Sequence, residues 1–289
     1  MRQAIAAKST RMNGLQADPD TEILVTLGAK EAIFLAMMAL VNPGDEVLIP
    51  DPEWVSYVPC VELAGGRIVR FPLHEKNGFQ PDIDDLERRI TSKTKMIVIS
   101  TPHNPTGAIF DAPALNGIAA LAHKHNLVVL SDEVYEHYVY DNHRHQSIGS
   151  LPGMKERTVT ISGTSKIFNM FGWRVGWAIA APAVITSMAH IHQNTVACAT
   201  SFAQAGTIAA LQLGDDIIAK RVRQYQEAGA PLIDGLNGLG LSCHRPEGAY
   251  FVFPNISKLG RSSEEVSRLL LEKGGIQSVS PSTSSAEAT

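Results

Sequence analysis

Apolar positions along the chain follow two alternating rhythms. Short, nearly continuous apolar runs occur at Leu24-Val25-Thr26, Glu46 to Ile49, Ile68 to Phe71, Lys95 to Ser100, Leu127 to Leu130, Thr158 to Ile161 and Val175 to Ala180. Such runs read as strands buried on both faces rather than as half-solvated ones, which would alternate apolar and polar residues. Between them the spacing changes to that of a helix. Ile33, Phe34, Met37, Met38 and Val41 form one apolar stripe, Ile83, Leu86 and Ile90 a second, and Leu115, Ile118, Ala119 and Ala122 a third. Asn42-Pro43-Gly44-Asp45 is a helix stop between the first stripe and the next strand. The alternation predicts an α/β fold, a three-layer αβα sandwich around a mostly parallel, mixed sheet.

Beyond Pro182 the rhythm is helical only, to about Leu211 and again from Asp215 to about Leu236. Ala203, Ala205, Gly206, Ala209 and Ala210 are small enough to let a neighbouring helix approach closely. After Gly240 the pattern changes again: Ala249 to Phe253 reads as a strand and Ser262 to Lys273 as a helix capped by Ser262 or Ser263. The expected organisation is a large α/β domain core over residues 1–185, long packing helices over 186–238, a partial α+β domain over 239–276, and a disordered polar tail over 277–289.

Composition narrows the function classes. The 289 residues carry a formal charge of -4, with 44% hydrophobic and 19% charged residues, which fits a globular protein and gives no basic surface for nucleic acid. No apolar stretch is long enough to span a bilayer, and Met1 to Asn13 lacks the apolar core of a signal peptide. Cys60, Cys198 and Cys243 are too few and scattered for a disulfide framework. These features point to the cytoplasm. The pairs His143/His145 and His190/His192 lack a further acidic or cysteine partner at ligand spacing, so no metal is expected.

The candidate chemistry sits just after predicted strands. Thr101-Pro102-His103-Asn104-Pro105-Thr106-Gly107 follows one, Ser131-Asp132-Glu133-Val134-Tyr135 another, and Ser162-Gly163-Thr164-Ser165-Lys166 a third. In open α/β sheets the loops beyond the strand ends converge on one crevice. A lysine there can form an imine with an aldehyde, and Arg174, eight residues on, can grip a phosphate. Together they ask for a phosphorylated aldehyde.

His103-Asn104-Pro105-Thr106-Gly107, Ser131 to Tyr135, and Ser165-Lys166 with Gly172-Trp173-Arg174 resemble the motifs of the fold-type I, pyridoxal-phosphate-dependent aminotransferases, in the class I/II aspartate and aromatic group. The resemblance runs from the first residues to about Gly274. It implies pyridoxal 5'-phosphate as cofactor, amino acids and 2-oxo acids as substrates, and a homodimer. It further implies that Lys166 holds the cofactor aldehyde and shuttles the proton. Asp132 would pair with the pyridine nitrogen, and Asn104 and Tyr135 would bond the phenolic oxygen. Val134 would pack beneath the ring and Trp54 stack above it. The phosphate would rest on Gly28 and the backbone N–H groups of Ala29 and Lys30, with Arg174 and a hydroxyl of Ser162 or Ser165. The Lys30 ammonium itself is expected to face solvent.

The chain departs from that family at both ends. Family members carry an N-terminal segment that helps close the site and a small-domain arginine that binds the substrate carboxylate. Ser278 to Thr289 contains no arginine, and Arg261 does not match the family position. The expectation is therefore an aminotransferase of aspartate/aromatic type truncated at both ends; the alternative is a catalytically impaired cofactor-binding or scaffold protein.

Overall fold

The computed structural model describes residues 1–280. Seven strands form one sheet: β1 (Ile23–Thr26), β2 (Glu46–Asp51), β3 (Arg67–Pro72), β4 (Thr94–Ser100), β5 (Val128–Asp132), β6 (Thr158–Gly163) and β7 (Gly176–Ile179). Their order is β1-β7-β6-β5-β4-β2-β3. The pairs from β3 through β6 are parallel, and only β7 runs against both its neighbours. The ends of the parallel strands and the start of β7 therefore share one edge. The seven strands predicted before Pro182 are all present, and the mixed, mostly parallel sheet is the expected one.

Each strand divides its side chains between two cores, which is why the runs are apolar throughout rather than alternating. On one face Val47, Ile49, Val98, Leu130 and Ile161 meet Ile33, Ala36 and Met37 of α2 (Ala29–Leu40) and Met188. On the other, Leu48, Ile97, Ile99 and Val129 meet Leu115, Ile118 and Ala122 of α5 (Ala112–Lys124). All of these are buried. The smaller helices α3 (Tyr57–Leu63) and α4 (Ile83–Arg88) pack against β3 and α5 respectively. Asp111 starts α5 by accepting the Ala114 N–H at 2.8 Å.

An N-terminal helix, α1 (Arg2–Asn13), is not signalled by any apolar stripe: its buried residues are Ile5, Lys8 and Ser9. The helical stretch expected from Pro182 to Leu211 is two helices, α6 (Pro182–Thr195) and α7 (Ser201–Leu211). They are broken where Ala197 takes a left-handed φ of 65°. Ile185 and Met188 of α6 belong to the same core as α2, so the boundary expected near Ile185 falls inside a helix docked on the large domain. Then come α8 (Asp215–Gly238) and α9 (Ser263–Gly274), whose Ser262 cap accepts the Glu265 N–H at 3.2 Å.

Ala249 to Phe253 is not a strand. Ala249 turns the chain with φ 58°, and Tyr250 and Phe251 spend their surface on the ring of Tyr135 instead of on a neighbouring strand. Of the tail expected over 277–289, residues 281–289 lie outside the described residues. Ser278 and Ser280 bond Ser267 and Ser263 of α9 at 2.9 and 2.8 Å. Among the described residues no helix is long and apolar enough to cross a membrane.

Candidate active site

The sheet edge where the parallel strands end opens into a cavity of about 1040 Å³. Trp54 reaches it from the loop after β2, Asn104 from the loop after β4, Asp132 from the last position of β5, Val134 and Tyr135 from the turn that follows, and Ser165 and Lys166 from the loop after β6. Ala29, Lys30 and Arg174 close one end, and α9 with residues 276–280 forms a further wall. The three loops after β4, β5 and β6, spread over some sixty residues of sequence, thus meet because in-register parallel strands end together, Ser100 opposite Asp132 and Asp132 opposite Ile161.

The Lys166 ammonium nitrogen lies in an aromatic cage, 5.4 Å from the ring centre of Tyr135, 5.3 Å from Phe171 and 5.9 Å from Tyr250. Its backbone is held as well. Tyr138 donates its hydroxyl to the Lys166 carbonyl at 3.3 Å, and Arg221 of α8 donates to the Ile167 carbonyl. A flexible four-carbon side chain is thereby given a fixed base and a narrow range of directions.

Asp132 is 4% exposed. Its Oδ2 accepts the Tyr57 hydroxyl at 2.8 Å and its Oδ1 the Val134 N–H at 3.3 Å. Burial pushes its carboxyl up to about 6; Tyr57, the Val134 N–H and the Lys166 charge oppose the shift without cancelling it. Burial also pushes the hydroxyl of Tyr57 well above its ordinary range, with the Asp132 charge adding to the effect. Tyr135 is raised the same way by burial and by Tyr250, so both tyrosines stay protonated donors. His103, fully buried and stacked on Phe110, is pushed down to about 3 by burial and is neutral; its Nδ1 pairs with Thr106 Oγ1 at 2.8 Å.

At the other end, Gly28 caps α2 without a side chain, at φ 83°. A Cβ there would stand 2.3 Å from Arg174 Nη2, and one on Gly176 would stand 2.4 Å from the Ala29 nitrogen. Two glycines therefore let the α2 N-terminus, the start of β7 and the Arg174 guanidinium converge. Arg174 is fixed by bonds from Nη1 to the Phe171 carbonyl at 3.0 Å and from Nη2 to the Leu27 carbonyl at 3.2 Å. A helix N-terminus beside an arginine is a site for an anion.

Two expected details differ. Ser162 is buried and gives its hydroxyl to Glu136 Oε1 at 2.5 Å, away from the cavity, because alternate residues of β6 face opposite sides of the sheet; Ser165 lines the cavity. Lys30 does not merely face solvent: its ammonium lies 5.2 Å from the Trp54 ring centre. Tyr57, Tyr138, Tyr250 and Arg221 carry no motif of their own, so the sequence alone does not mark them. The Trp54-to-Tyr57 spacing was the one available signal, since the two rings meet edge to face at 5.4 Å. His145, expected to lack an acidic partner, meets Glu133 Oε2 at 3.0 Å. With Glu136 these two are close enough together for a cation, but the cation beside Glu136 is the Lys8 ammonium.

Residues 1–287 match the family model for aminotransferase class I and II. The chain is 41% identical to an aspartate aminotransferase of Pyrococcus abyssi over 94% of its own length and 70% of that protein's. It is 39% identical to aromatic-amino-acid aminotransferase 2 of Thermococcus litoralis, over 96% of this chain and 72% of the relative. The crystal structure of an aromatic aminotransferase from Pyrococcus horikoshii superposes with a TM-score of 0.95 at 39% identity, covering 99% of this chain and 77% of that one.

Proposed function

This chain belongs to the class I and II aminotransferases, and we propose that it transfers amino groups with Lys166 as proton carrier and Asp132 as the anchor of the cofactor ring. It is a pyridoxal-phosphate-dependent enzyme of the aspartate/aromatic type, acting on amino acids and 2-oxo acids. The observation that carries the residue assignment is the arrangement of Lys166, Asp132 and the Gly28–Arg174 cradle around a single cavity.

The residues fit the cofactor. The lack of side chains at Gly28 and Gly176 lets the α2 N-terminus and the Arg174 guanidinium come together, and that pairing suits a phosphate. Asp132 is a buried carboxylate lining the cavity, and its oxygens, each accepting one hydrogen bond, from Tyr57 and from the Val134 N–H, have lone pairs that suit a cationic N–H donor. When bound, pyridoxal phosphate supplies an electron-poor ring that spreads the electron pair left as the substrate Cα–H bond breaks.

The chain does the rest. Lys166 Nζ would hold the cofactor aldehyde and, once freed by the incoming substrate amine, would act as the base that takes the Cα proton and returns it to the former aldehyde carbon on the other side of the amino nitrogen. Asp132 keeps the ring nitrogen protonated, and Tyr57 keeps Asp132 oriented. Asn104 and Tyr135 would hydrogen-bond the ring oxygen, and Trp54 and Val134, which line the same cavity, would pack against the ring. Ala29, Lys30, Ser165 and Arg174 hold the phosphate, so the reacting atoms meet in one orientation.

The test is direct. Pyridoxal phosphate is added to the protein, borohydride is used to fix any lysine adduct, and the modified peptide is mapped by mass. The adduct is expected on Lys166, and 2-oxo acid release from aspartate or phenylalanine is expected to vanish in Lys166→Ala. A label on another lysine, or undiminished turnover, would refute the assignment.

A homodimer and a cytoplasmic location complete the proposal. Phe202 at 70% exposure, with Trp173, Val196, Leu213 and Ile217 also exposed, supports a second copy on the α7 side. Three free cysteines suit a reducing compartment. Sedimentation at micromolar concentration distinguishes monomer from dimer.

A further inference from the structure

Behind the cavity, on the side of the turn that does not face it, lies a buried ionic network. Lys8 of α1, 4% exposed, pairs with Glu136 and donates to Asn13 Oδ1 at 3.0 Å. Asn13 Nδ2 in turn bonds Glu136 Oε2 at 2.7 Å and Glu133 Oε2 at 3.3 Å. Glu133 is completely buried. Its Oε1 accepts hydroxyls from Ser131 and Ser147, both at 2.8 Å, and its Oε2 meets His145. Ser162 completes the set through Glu136.

None of these residues lines the cavity. Their arrangement nonetheless centres on a residue that does. Ser131 and Glu133 flank Asp132 in sequence and are tied to each other. The Glu133 N–H is bonded to the carbonyl of Ile161, the register partner of Asp132. The backbone carrying the Asp132 carboxylate is thus gripped on both sides. A buried ion pair is a poor way to gain stability, since apolar residues of the same volume serve as well. An ion pair placed here has another use.

Charge gives that use. Glu133 and Glu136 put two carboxyl groups within four residues of Asp132, and Glu133 disfavours the ionised form of Asp132. The groups facing them are Lys8 from α1, with Arg11 farther along that helix, His137 on the turn and His145 from the next loop; Tyr57 and Lys166 face Asp132 itself. Burial pushes Glu136 up, but Lys8, with His137 and His145, outweighs it and holds the carboxyl down to about 2. Burial pushes His137 down to about 4, so at neutral pH it adds no charge. The Lys8 ammonium forms the ion pair with Glu136.

We infer that Lys8 is a positioning residue for Asp132: through Glu136 and, by way of Asn13, Glu133, it fixes the turn that carries the Asp132 carboxylate and offsets the negative charge behind it. The inference rests on the proposed role of Asp132 at the ring nitrogen. It gives α1, whose sequence shows no apolar stripe, a function in cofactor binding.

The experiment is a double-mutant cycle on full-length protein, reading the dissociation constant of pyridoxal phosphate across pH 5 to 9 together with kcat and thermal stability. Lys8→Met is expected to weaken cofactor binding about tenfold and to move its acid limb upward by about one pH unit. In an Asp132→Asn background the same substitution is expected to change neither. An equal loss in both backgrounds, or no loss at all, would overturn the inference. If Lys8→Met does not fold, Asn13→Ala replaces it, with a loss of about threefold that disappears with Asp132→Asn; persistence of that loss overturns the proposal equally. Ile5→Ala loosens α1 without touching a charge and is expected to lower the melting temperature and leave the acid limb in place. A shifted limb in Ile5→Ala would mean that packing alone is responsible. If Asp132→Asn by itself leaves cofactor binding unchanged, the assignment of Asp132 falls, and this inference with it.

Discussion

Tyr57 donates its hydroxyl to Asp132 Oδ2 at 2.8 Å across 75 residues of sequence, joining the first turn of α3 to the last residue of β5. Both groups are buried, so this bond acts without competition from water. It favours the ionised form of Asp132, against the burial that disfavours it.

Tyr57→Phe removes the bond and keeps the ring that packs on Trp54. Hydrogen bonds to charged groups are worth about 1.5–3 kcal/mol. The Asp132 carboxyl, at about 6 in the intact protein, is expected to rise by about one unit. Cofactor loading measured against pH should then lose its acid limb earlier as pH falls, with little change above pH 8.

Asp132→Asn separates stability from function. The folded carboxyl stands at about 6 against 3.8 for an unburied one, so the folded cofactor-free protein binds more protons than the unfolded chain between those values. Its stability is therefore highest below pH 4 as far as this group is concerned, and is lost as pH rises through 6. The asparagine variant escapes this penalty. Cofactor-free Asp132→Asn should be more stable than the parent by about 1–3 kcal/mol at pH 7 in denaturant titrations, with no gain at pH 4, while its turnover falls at least a hundredfold.

The phosphate cradle is tested at Gly176. A methyl group there would sit 2.4 Å from the Ala29 nitrogen and 2.5 Å from the Gly28 carbonyl carbon, backbone atoms that cannot rotate away. Gly176→Ala should cost about 1–3 kcal/mol of stability and force the α2 N-terminus away from Arg174. Comparing pyridoxal phosphate with pyridoxal isolates the site: affinity for the phosphorylated form should drop more than tenfold, while that for pyridoxal changes little.

Arg221 offers a check on how the Lys166 loop is held. Its guanidinium, on α8, satisfies the carbonyl of Ile167, and Arg221→Met leaves that carbonyl without this donor. The expected result is a several-fold lower kcat with nearly unchanged cofactor affinity, because the loop geometry is disturbed and the phosphate and ring contacts are not. Steady-state kinetics alongside a cofactor titration would show it.

Much of this protein is determined by its sequence alone. Double-faced apolar runs separated by helical stripes specify the layered α/β sheet, since only burial on both sides tolerates such strands. Asn104 and Lys166 are legible because each sits in a short motif directly after a strand, Asp132 because its motif closes one, and Arg174 because it stands eight residues beyond Lys166, just before β7. Tertiary structure decided the rest. No motif in the sequence marks Lys8 or Tyr57 until folding sets them beside Glu136 and Asp132. Ser162 and Ser165 are equivalent as letters, yet the pleat of β6 sends one behind the sheet and the loop brings the other to the cavity. Ala249 to Phe253 has the composition of a strand but no partner strand among the described residues, and its rings pack on Tyr135. Periodicity reports which face of an element is buried; it carries no information about which distant charge, hydroxyl or ring will share that burial, because those pairings are set by chain topology and not by neighbours in sequence.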